Sequence, residues 1–572
     1  QQGDFNSIAT LYDDLYNQKI NNVSSRGHVI LGDTQTGWAK GLKLSFTLGA
    51  DYYGLDQLEY YNPFFGNAKD SKGRVTKTST TMFSYTANQM LSYNTEIGGL
   101  HHIDAMVAHE YYDLSIDRVE AEKTGFPFGG LYQPDGASTV FNASGSTDSY
   151  RIESYLGRIN YDYADKYYLS ASLRRDASSR FHKDYRWGNF WSVGGNYRVS
   201  NESFMEDYSS WLDNMSIRAS YGVQGNDKIL NSDATSNYYA WQALYDLAWS
   251  NASEAGALVT SIQNEKVSWE KNANFNVGLD ISVLDKKVEG SIEYYQRKTS
   301  DLLLNYPMPL STGFSGYSRN SGSMLNTGLE LTVTGQLIKT KDLQWNATLM
   351  ASTIKNEVLK LTDDGKDITS GSRIIREGEA FQSYYLPKSA GVDPLTGVPL
   401  YWATVNNDGD EVDPYVTSSS VLANASRYIA GDMFPDLFGS ISTDLKYKSF
   451  DFSATATYSI GGEMIDGVYQ QMRSFYYPAQ AKHVDLLRAW RQPGDITDIP
   501  KYVLGGSITY TDDMLFDASY FSIKNVTLGY TLPSAIAKKA GLHALRVYAT
   551  VDNLYMFTSL KGMNPQYSIT GG

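Results

Sequence analysis

The reactive side chains of this chain do not form a recognised catalytic motif. The sequence contains no Gly-x-Gly-x-x-Gly fingerprint, phosphate-binding loop, Gly-x-Ser-x-Gly nucleophile or His-Glu-x-x-His zinc motif. Carboxylates are plentiful, but their spacing does not predict an acid/base pair. The chain has no cysteine, which excludes disulfide scaffolds, thiolate metal sites and cysteine nucleophiles. The sequence therefore predicts a protein that is not an enzyme.

The histidines offer a weak metal-binding pattern. His101, His102 and His109 fall in one predicted strand. His102 and His109 lie seven residues apart, so their side chains are expected on opposite faces of that strand. We expect polar lumen or interface residues there and no metal site.

Two acidic segments are loosely similar to calcium-binding loops. They are residues 363–367, with the sequence DDGKD, and residues 406–411, with the sequence NNDGDE. The twelve-residue calcium loop requires a glutamate six positions after its glycine, whereas Tyr415 occupies that position after Gly409. Because Asn-Asp-Gly is also a common hairpin turn, plain turns are favoured over calcium sites, and no cofactor is predicted.

Aromatic side chains crowd three segments that lack strand periodicity. The candidate ligand-binding residues are Tyr238, Tyr239, Trp241 and Trp249 in the first, Tyr384, Tyr385 and Trp402 in the second, and Phe475, Tyr476 and Tyr477 in the third. Tyr245 lies among the first group. Such rings stack on sugars or hold peptide side chains. The alternative is that they pack the loops together or against a partner protein.

The segments between these loops alternate apolar and polar residues, which predicts strands with one apolar face. In residues 274–282, Phe275, Val277, Leu279 and Ile281 share one face. Candidate strands fall near residues 22–34, 41–60, 78–95, 101–113, 147–163, 167–180, 188–199, 213–224, 269–283, 287–304, 322–337, 343–358, 436–446, 449–461, 518–531 and 544–557. Many of these strands are long enough to cross a bilayer when tilted.

The connections between these strands alternate in length. Short connections are predicted at residues 36–41, 97–100, 164–166, 284–287, 338–341 and 447–449, and two with helix-like pieces at 200–212 and 533–542. The longer ones include residues 114–146, 225–268, 305–321, 359–435 and 462–517. Short turns on one side and long loops on the other are typical of an outer-membrane β-barrel. This pattern predicts an all-β, antiparallel transmembrane barrel with long extracellular loops and short periplasmic turns.

Tyrosine is the most abundant aromatic residue, with 45 copies, and several tyrosine pairs lie in predicted strands. Amphipathic rings settle at the two lipid–water interfaces. The expected interface residues are Tyr52, Tyr53, Tyr60, Tyr61, Tyr111, Tyr112, Tyr167, Tyr168, Tyr294 and Tyr295. The net charge of −14 argues against nucleic acid as a partner.

Several motifs together resemble the SusC/RagA family of TonB-dependent transporters of the Bacteroidetes outer membrane. They are residues 178–181, 186–188, 217–222, 225–226, 269–271, 276–280, 294–299, 301–303, 391–397, 399–401, 524–533 and 552–554, with Phe190, Ser192, Asn320, Gly322, Asn326, Gly328 and Glu330. The matches occur in order along essentially the whole chain.

The resemblance implies TonB-energised import of nutrient oligosaccharides, or less often peptides, across the bacterial outer membrane. It also implies a SusD-like surface lipoprotein as partner and a TonB–ExbB–ExbD complex that acts through an N-terminal region. The family barrel has 22 strands, so residues 1–572 are expected to form about sixteen strands of one truncated barrel domain. The family's plug, TonB box and final strand are not recognised in the sequence.

Two other interpretations remain open. One is an outer-membrane adhesin or structural barrel that transports nothing. The other is a soluble carbohydrate-binding β-protein. If the barrel is truncated, its first and last strands should each lack a neighbour, leaving a gap in the curved sheet.

Overall fold

A computed structural model describes residues 7–32, 37, 40–231, 235–247, 249–251, 254–314, 316–361, 365–474, 481–504, 509–560 and 562–566. Its main feature is one large antiparallel sheet with sixteen strand positions. In chain order these are β1 Leu15–Gly32, β2 Leu42–Tyr61, β3 Arg74–Ile97, β4 His101–Thr124, β5 Thr139–Tyr163, β6 Tyr167–Ser178, β7 Trp187–Arg198, β8 Leu212–Asn226, β9 Glu270–Val283, β10 Val288–Ser300, β11 Ser323–Lys339, β12 Leu343–Ser352, β13 Leu437–Tyr447, β14 Phe450–Ile460, β15 Tyr520–Thr531 and β16 Arg546–Thr558. A short continuation of β12, Lys355–Lys360, also pairs with β11.

Each strand pairs with the next along the chain, as in an up-and-down barrel wall. Within the described residues, β1 pairs with β2 alone and β16 with β15 alone, so the sheet is not closed. This confirms the predicted antiparallel barrel fold and the open sheet.

The alternating sequence gives the wall two different faces. On β6, Leu169 and Leu173 are 58% and 60% exposed and share the outward face, whereas Ser170 and Ser172 share the other face. An extended apolar surface of this kind in water would be an interaction or aggregation site, but in a bilayer it faces lipid. The polar face lines the lumen.

The extracellular halves of some strands are longer than their alternation predicts. The strand predicted near 101–113 continues to Thr124, and its neighbour begins at Thr139 rather than near 147. The added segment pairs residue by residue with β3 and β5 although it is rich in charge. Backbone pairing with two neighbours therefore extends these strands beyond the apolar belt, and the predicted loop 114–146 shrinks to residues 125–138.

Tyrosines lie at the periplasmic end of the outward face. The rings of Tyr167 and Tyr197 stack at 5.0 Å and 4°, and Tyr163 stacks on Tyr167 at 6.3 Å. Among the predicted interface tyrosines, Tyr168 lies on the lumenal face instead, and Tyr60 is buried. Its side chain is only 2% exposed, and it packs with Val75 and Phe126 beneath an extracellular loop.

The remaining elements belong to the connections. The short strands are Tyr245–Asp246, Ser250–Asn251, Glu254–Ala255, Leu258–Val259, Leu303–Pro307, Gly316–Asn320, Ile368–Ser370, Arg373–Ile375, Ser383–Leu386, Ser389–Val392, Pro399–Val405, Glu411–Thr417, Tyr428–Gly431, Glu463–Ile465 and Leu515–Asp517. The α-helices are Ser7–Asp13, Ser420–Ala425, Gly467–Arg473 and Ser534–Lys539. The 3₁₀ helices are Pro134–Gly136, Val199–Asn201, Ser203–Tyr208, Leu310–Thr312, Val484–Arg488 and Asp512–Met514. Among the described residues, no helix is long and apolar enough to span a membrane.

Candidate functional site

The lumenal face of β4 to β9 carries the first part of the candidate site. Its periplasmic half encloses a cavity of about 490 Å³. The polar residues that line this cavity include His102, Asp104, Asn160, Asp162, Asn196 and Arg218. Asn276 on β9 also lies in this lining. These side chains place hydrogen-bonding groups on the lumenal side of the wall.

Arg218 crosses three strands of this wall. It lies on β8, and its guanidinium donates to Asp280 on β9 at 3.1 Å and to Ser291 on β10 at 3.2 Å. It also forms an ion pair with Glu293 on β10. The residue directly opposite Arg218 in the register is Gly278. A Cβ atom at position 278 would lie 2.9 Å from the guanidinium carbon, so the glycine provides the space that Arg218 needs.

Arg174 forms a similar bridge nearer the extracellular end. Its guanidinium donates to Asp176 at 2.7 Å, to Ser154 at 2.9 Å and to Glu110 at 3.2 Å. The contacts join β4, β5 and β6 on the lumenal face. Charged side chains of the lumen are therefore held by neighbouring strands rather than free in solvent.

His102 lies at the periplasmic end of the same face. Its Nδ1 is 3.5 Å from Asp162, and Asp165 completes a group whose ligand atoms lie within 4.8 Å of one another. His102 also approaches Glu96 at 3.5 Å. The same contacts are also expected of a histidine that lies between carboxylates in a polar wall and binds no metal. His109 has different partners, Gln89 and Glu153.

The first aromatic loop is anchored on the top of the wall by Arg180 and Asp227, and the Arg180 guanidinium donates to the backbone oxygen of Asp227 at 3.3 Å. Arg180 is 6% exposed, and its guanidinium carbon lies 4.7 Å from the ring centre of Tyr150 and 4.8 Å from that of Tyr238. Asp227 accepts hydrogen bonds from Tyr150 at 2.8 Å and from Ser178 at 2.6 Å. One face of the predicted binding residue Tyr238 is thus covered by Arg180.

The other predicted residues of this loop have graded exposure. The Tyr239 hydroxyl accepts a hydrogen bond from the backbone of Ser149 at 2.9 Å. Trp241 packs edge-to-face on His182 at 5.2 Å. Tyr245 and Trp249 are 59% and 56% exposed, and the Trp249 indole donates to Asp246. The outer end of the loop therefore offers exposed rings, whereas its base is packed.

In the second loop, as in the first, the predicted residues differ in how far they are buried. Tyr384 is 1% exposed, with the guanidinium of Arg373 lying 3.9 Å from its ring centre. Burial raises the pKa of Tyr384. Its hydroxyl donates to the backbone oxygen of Glu463 at 3.1 Å. Tyr384 is thus packed inside the loop with Arg373 over its ring, and its role as a binding residue stays a prediction.

Tyr385 and Trp402 keep more accessible surface. Tyr385 is half-buried beside Arg376, whose guanidinium carbon lies 5.7 Å from the ring centre. Trp402 is 39% exposed on the strand Pro399–Val405. The third group, Phe475, Tyr476 and Tyr477, lies outside the described residues.

The two longest loops, residues 361–436 and 461–519, are tied to each other. Asp512 accepts hydrogen bonds from the backbone of Ser389 and the hydroxyl of Tyr428, both at 2.8 Å. Burial, together with the Asp512 carboxylate, raises the pKa of Tyr428 to about 12. The indole of Trp490 donates to the backbone oxygen of Pro394 at 2.9 Å. The loops therefore form one extracellular unit above β12 to β15.

The acidic segment near residue 406 forms a turn. The Asn406 side-chain oxygen accepts hydrogen bonds from the backbone N–H of Asp408 at 3.0 Å and from that of Asp410 at 2.9 Å. In the other acidic segment, Asp363 and Asp364 lie outside the described residues, and Asp367 pairs with Arg376 at 2.8 Å.

The sequence alone does not identify the charged residues that hold the lumenal wall and the aromatic loops in place. Arg180, Arg218, Asp227, Arg373 and Glu463 are not among the candidate site residues, although Arg180 and Arg218 belong to the motifs of the resemblance. A glycine opposite an arginine, as at 278, is a signal that requires knowledge of the strand register.

Comparison with known proteins agrees with this architecture. The family model described as TonB dependent receptor-like, beta-barrel matches residues 2–554. TonB-dependent receptor P3 of Formosa agariphila is 28% identical over 90% of this chain and 54% of its own length. TonB-dependent receptor SusC of Bacteroides thetaiotaomicron is 27% identical over 98% of this chain and 55% of its own length. The chain thus spans about half the length of the curated relatives it matches.

Solved structures give the same result. A chain of the RagAB peptide transporter superposes with a TM-score of 0.83 at 26% identity, covering 97% of this chain and 60% of that one. A chain of the RagAB peptide importer in its closed-closed state gives a TM-score of 0.84 at 27% identity, with the same coverage. These comparisons and the barrel wall together show that the chain belongs to the TonB-dependent receptor β-barrel family of the outer membrane and is of the SusC/RagA type.

Proposed function

We propose that this chain forms the barrel wall of an outer-membrane importer for nutrient oligosaccharides or peptides, energised by TonB. The observation that carries the proposal is the family match over residues 2–554, on a sheet whose polar face lines a lumen beneath long packed loops. The family consists of receptors and transporters rather than enzymes, and no covalent chemistry is assigned to the cargo.

The extracellular loops support a role in cargo capture. Tyr245, Trp249 and Trp402 present accessible rings on loops that are anchored below by buried residues. Exposed rings on a rigid base supply contact area at a low entropic cost, whether the cargo is a sugar chain or a peptide. Oligosaccharide is the cargo class that we propose first. Peptide is the alternative, because the similar RagAB protein is a peptide transporter.

The proposal includes two sets of partners. A SusD-like surface lipoprotein would cover the extracellular loops, and a TonB–ExbB–ExbD complex would act from the periplasmic side through the N-terminal region found in full-length family members. We propose both sets of partners from the SusC/RagA type of this chain, which spans about half the length of the curated relatives it matches.

Uptake by whole cells tests this proposal. A strain of the source bacterium that lacks the full-length gene is supplied with single oligosaccharides or peptides, with and without TonB. We expect loss of growth on one cargo class in both deletions and recovery on complementation of the receptor gene. Growth on every cargo in the absence of the receptor would contradict import and would favour the adhesin or structural alternative.

A further inference from the structure

Two periplasmic turns contain helices: one lies between β7 and β8, and the other, between β15 and β16, contains Ser534–Lys539. Most turns at this end of the wall are tight, as at residues 164–166 and 284–287, but residues 199–211 between β7 and β8 form two 3₁₀ helices, Val199–Asn201 and Ser203–Tyr208. Glu202, between the helices, accepts hydrogen bonds from Tyr167 at 2.6 Å and Lys166 at 3.1 Å. The backbone oxygen of Trp211 accepts the N–H of Leu284 at 2.8 Å. The turn is therefore fixed to the turns on both sides.

The turn covers an apolar cavity on the outer surface of the barrel. The cavity measures about 490 Å³. Its lining is formed by Phe204, Met205, Tyr208 and Trp211 from the turn and by Leu212, Met215 and Ile281 from β8 and β9. Met215 and Ile281 are paired in the register and lie on the apolar, lipid-facing side of the wall.

The turn also exposes large apolar side chains that no described residue covers. Phe204, Tyr208 and Trp211 are 64%, 49% and 48% exposed. They belong to the same end of the wall as the row of stacked rings formed by Tyr167 and Tyr197. Because this row lies at the level where aromatic rings meet the membrane interface, the medium that covers the cavity is the bilayer.

The polar side of the same helix is acidic. Glu206 and Asp207 are exposed, and neither carboxylate forms an ion pair with another described residue. At a membrane interface such a pair attracts a cationic headgroup and repels an anionic one.

From this arrangement we infer that the cavity beneath the helix Ser203–Tyr208 holds an acyl chain of a phosphatidylethanolamine molecule of the periplasmic leaflet. The apolar lining takes the chain, and the Glu206 and Asp207 carboxylates hold the ammonium group. Such a lipid fixes the height of the barrel in the membrane at this turn. The inference concerns the barrel wall and is independent of the cargo.

Lipid retention by the full-length protein tests the inference. The protein is reconstituted into vesicles of equal parts phosphatidylethanolamine and phosphatidylglycerol, extracted in a mild detergent, and analysed by native mass spectrometry. We expect one retained phosphatidylethanolamine in the wild type. Ile281→Trp fills the cavity from the wall and Met205→Trp fills it from the helix, and both should lose that lipid. Ile292→Trp, on the same apolar face but outside the cavity, is the matched control and should keep it.

The headgroup preference is tested by a double substitution. Glu206→Gln with Asp207→Asn removes both negative charges without changing the shape of the helix, so retention of the two lipids should become equal. Folding of every variant is checked by its heat-dependent gel migration. Retention of the same lipid by both cavity-filling variants, or equal retention of the two lipids by the wild type, would overturn the inference.

Discussion

At the scale of single residues, the lumenal wall depends on arginines that reach across several strands. Arg218 contacts Asp280, Ser291 and Glu293 on two neighbouring strands. The positive charge of the Arg218 guanidinium offsets the repulsion between the Asp280 and Glu293 carboxylates, which carry like charges.

Replacing this arginine is therefore expected to destabilise the wall. In Arg218→Ala, Asp280 and Glu293 lose their counter-ion, and because Arg218 is more than one-third exposed we expect a modest cost of about 1 kcal/mol. Thermal unfolding in detergent, followed by circular dichroism, measures it. The control is Arg158→Ala, whose partner Asp104 lies 3.5 Å away at a more exposed site. Equal melting temperatures for both variants would contradict the role given to Arg218.

Gly278 is predicted to be needed for the same contact. A valine at position 278 would occupy the space of the Arg218 guanidinium, which lies 2.9 Å from the ideal Cβ position. Gly278→Val should therefore lower the melting temperature about as much as Arg218→Ala does, and the double variant should add little further loss. Gly290→Val is the control, since the nearest atom to its Cβ position is 3.8 Å away. Full additivity of Gly278→Val and Arg218→Ala would show that the two residues act separately.

At the scale of the elements, the strands are predictable from the sequence and the loops are not. The strand predicted at 167–180 is observed as Tyr167–Ser178. It is predictable because the alternation of apolar and polar side chains along one membrane-spanning strand is visible in the local sequence. The charged continuation of β4 to Thr124 is not predictable, because its pairing with β3 and β5, not its own pattern, keeps it extended. The burial of Tyr384 is not predictable, because nothing local shows that Arg373 and a distant loop contact it, and its role as a binding residue stays a prediction.

The loop around Gly397 is expected to depend on a close contact with Trp490. Gly397 has a φ of +71°, and its ideal Cβ position lies 2.4 Å from the indole. Gly397→Ala should displace Trp490 and increase proteolytic cleavage between the strands Ser389–Val392 and Pro399–Val405. Gly409→Ala is a matched control, because Gly409 also has a positive φ of +87° but no atom within 4 Å. Both variants share the backbone strain of about 1–2 kcal/mol, so equal cleavage would contradict the contact.

The contact between the two longest loops is expected to depend on pH through Glu463. Burial raises the pKa of Glu463 above its ordinary value, and the charges of Asp432, Asp517 and Asp436 also raise it, whereas the hydrogen bond from the Asp432 backbone N–H lowers it by less than burial raises it. A carboxyl whose pKa is raised by folding stabilises the folded loops fully below its unfolded pKa, and this contribution is lost as the pH rises through the folded pKa. Hydrogen exchange of the segment Glu463–Ile465 should therefore speed up, after correction for intrinsic rates, as the pH rises from about 4.

The matched variant for this pH effect is Glu463→Gln, which keeps the shape and cannot ionise. Its corrected exchange rate should be independent of pH over the same interval. A wild type and a variant that respond identically to pH would show that another group controls the loop contact.

At the scale of the whole molecule, the central claim is that the sheet is a membrane wall with lipid on one side and a polar lumen on the other. On β6 the outward residues Leu169 and Leu173 alternate in the sequence with the inward residues Ser170 and Ser172. A membrane wall therefore predicts that accessibility to lipid alternates along this strand with a period of two residues. These 572 residues contain no cysteine, so this part of the protein adds no background signal to a spin label at a single introduced cysteine.

The most direct measurement is the accessibility of such labels in the full-length protein in a lipid bilayer. For spin labels at single cysteines, we expect high oxygen and low nickel-chelate accessibility at positions 169, 171 and 173, because these labels face lipid. At positions 170 and 172 this combination of accessibilities should be absent. This result does not depend on what fills the lumen. Labels that show no alternation, or that are reached by the nickel chelate equally on both faces, would contradict the membrane barrel.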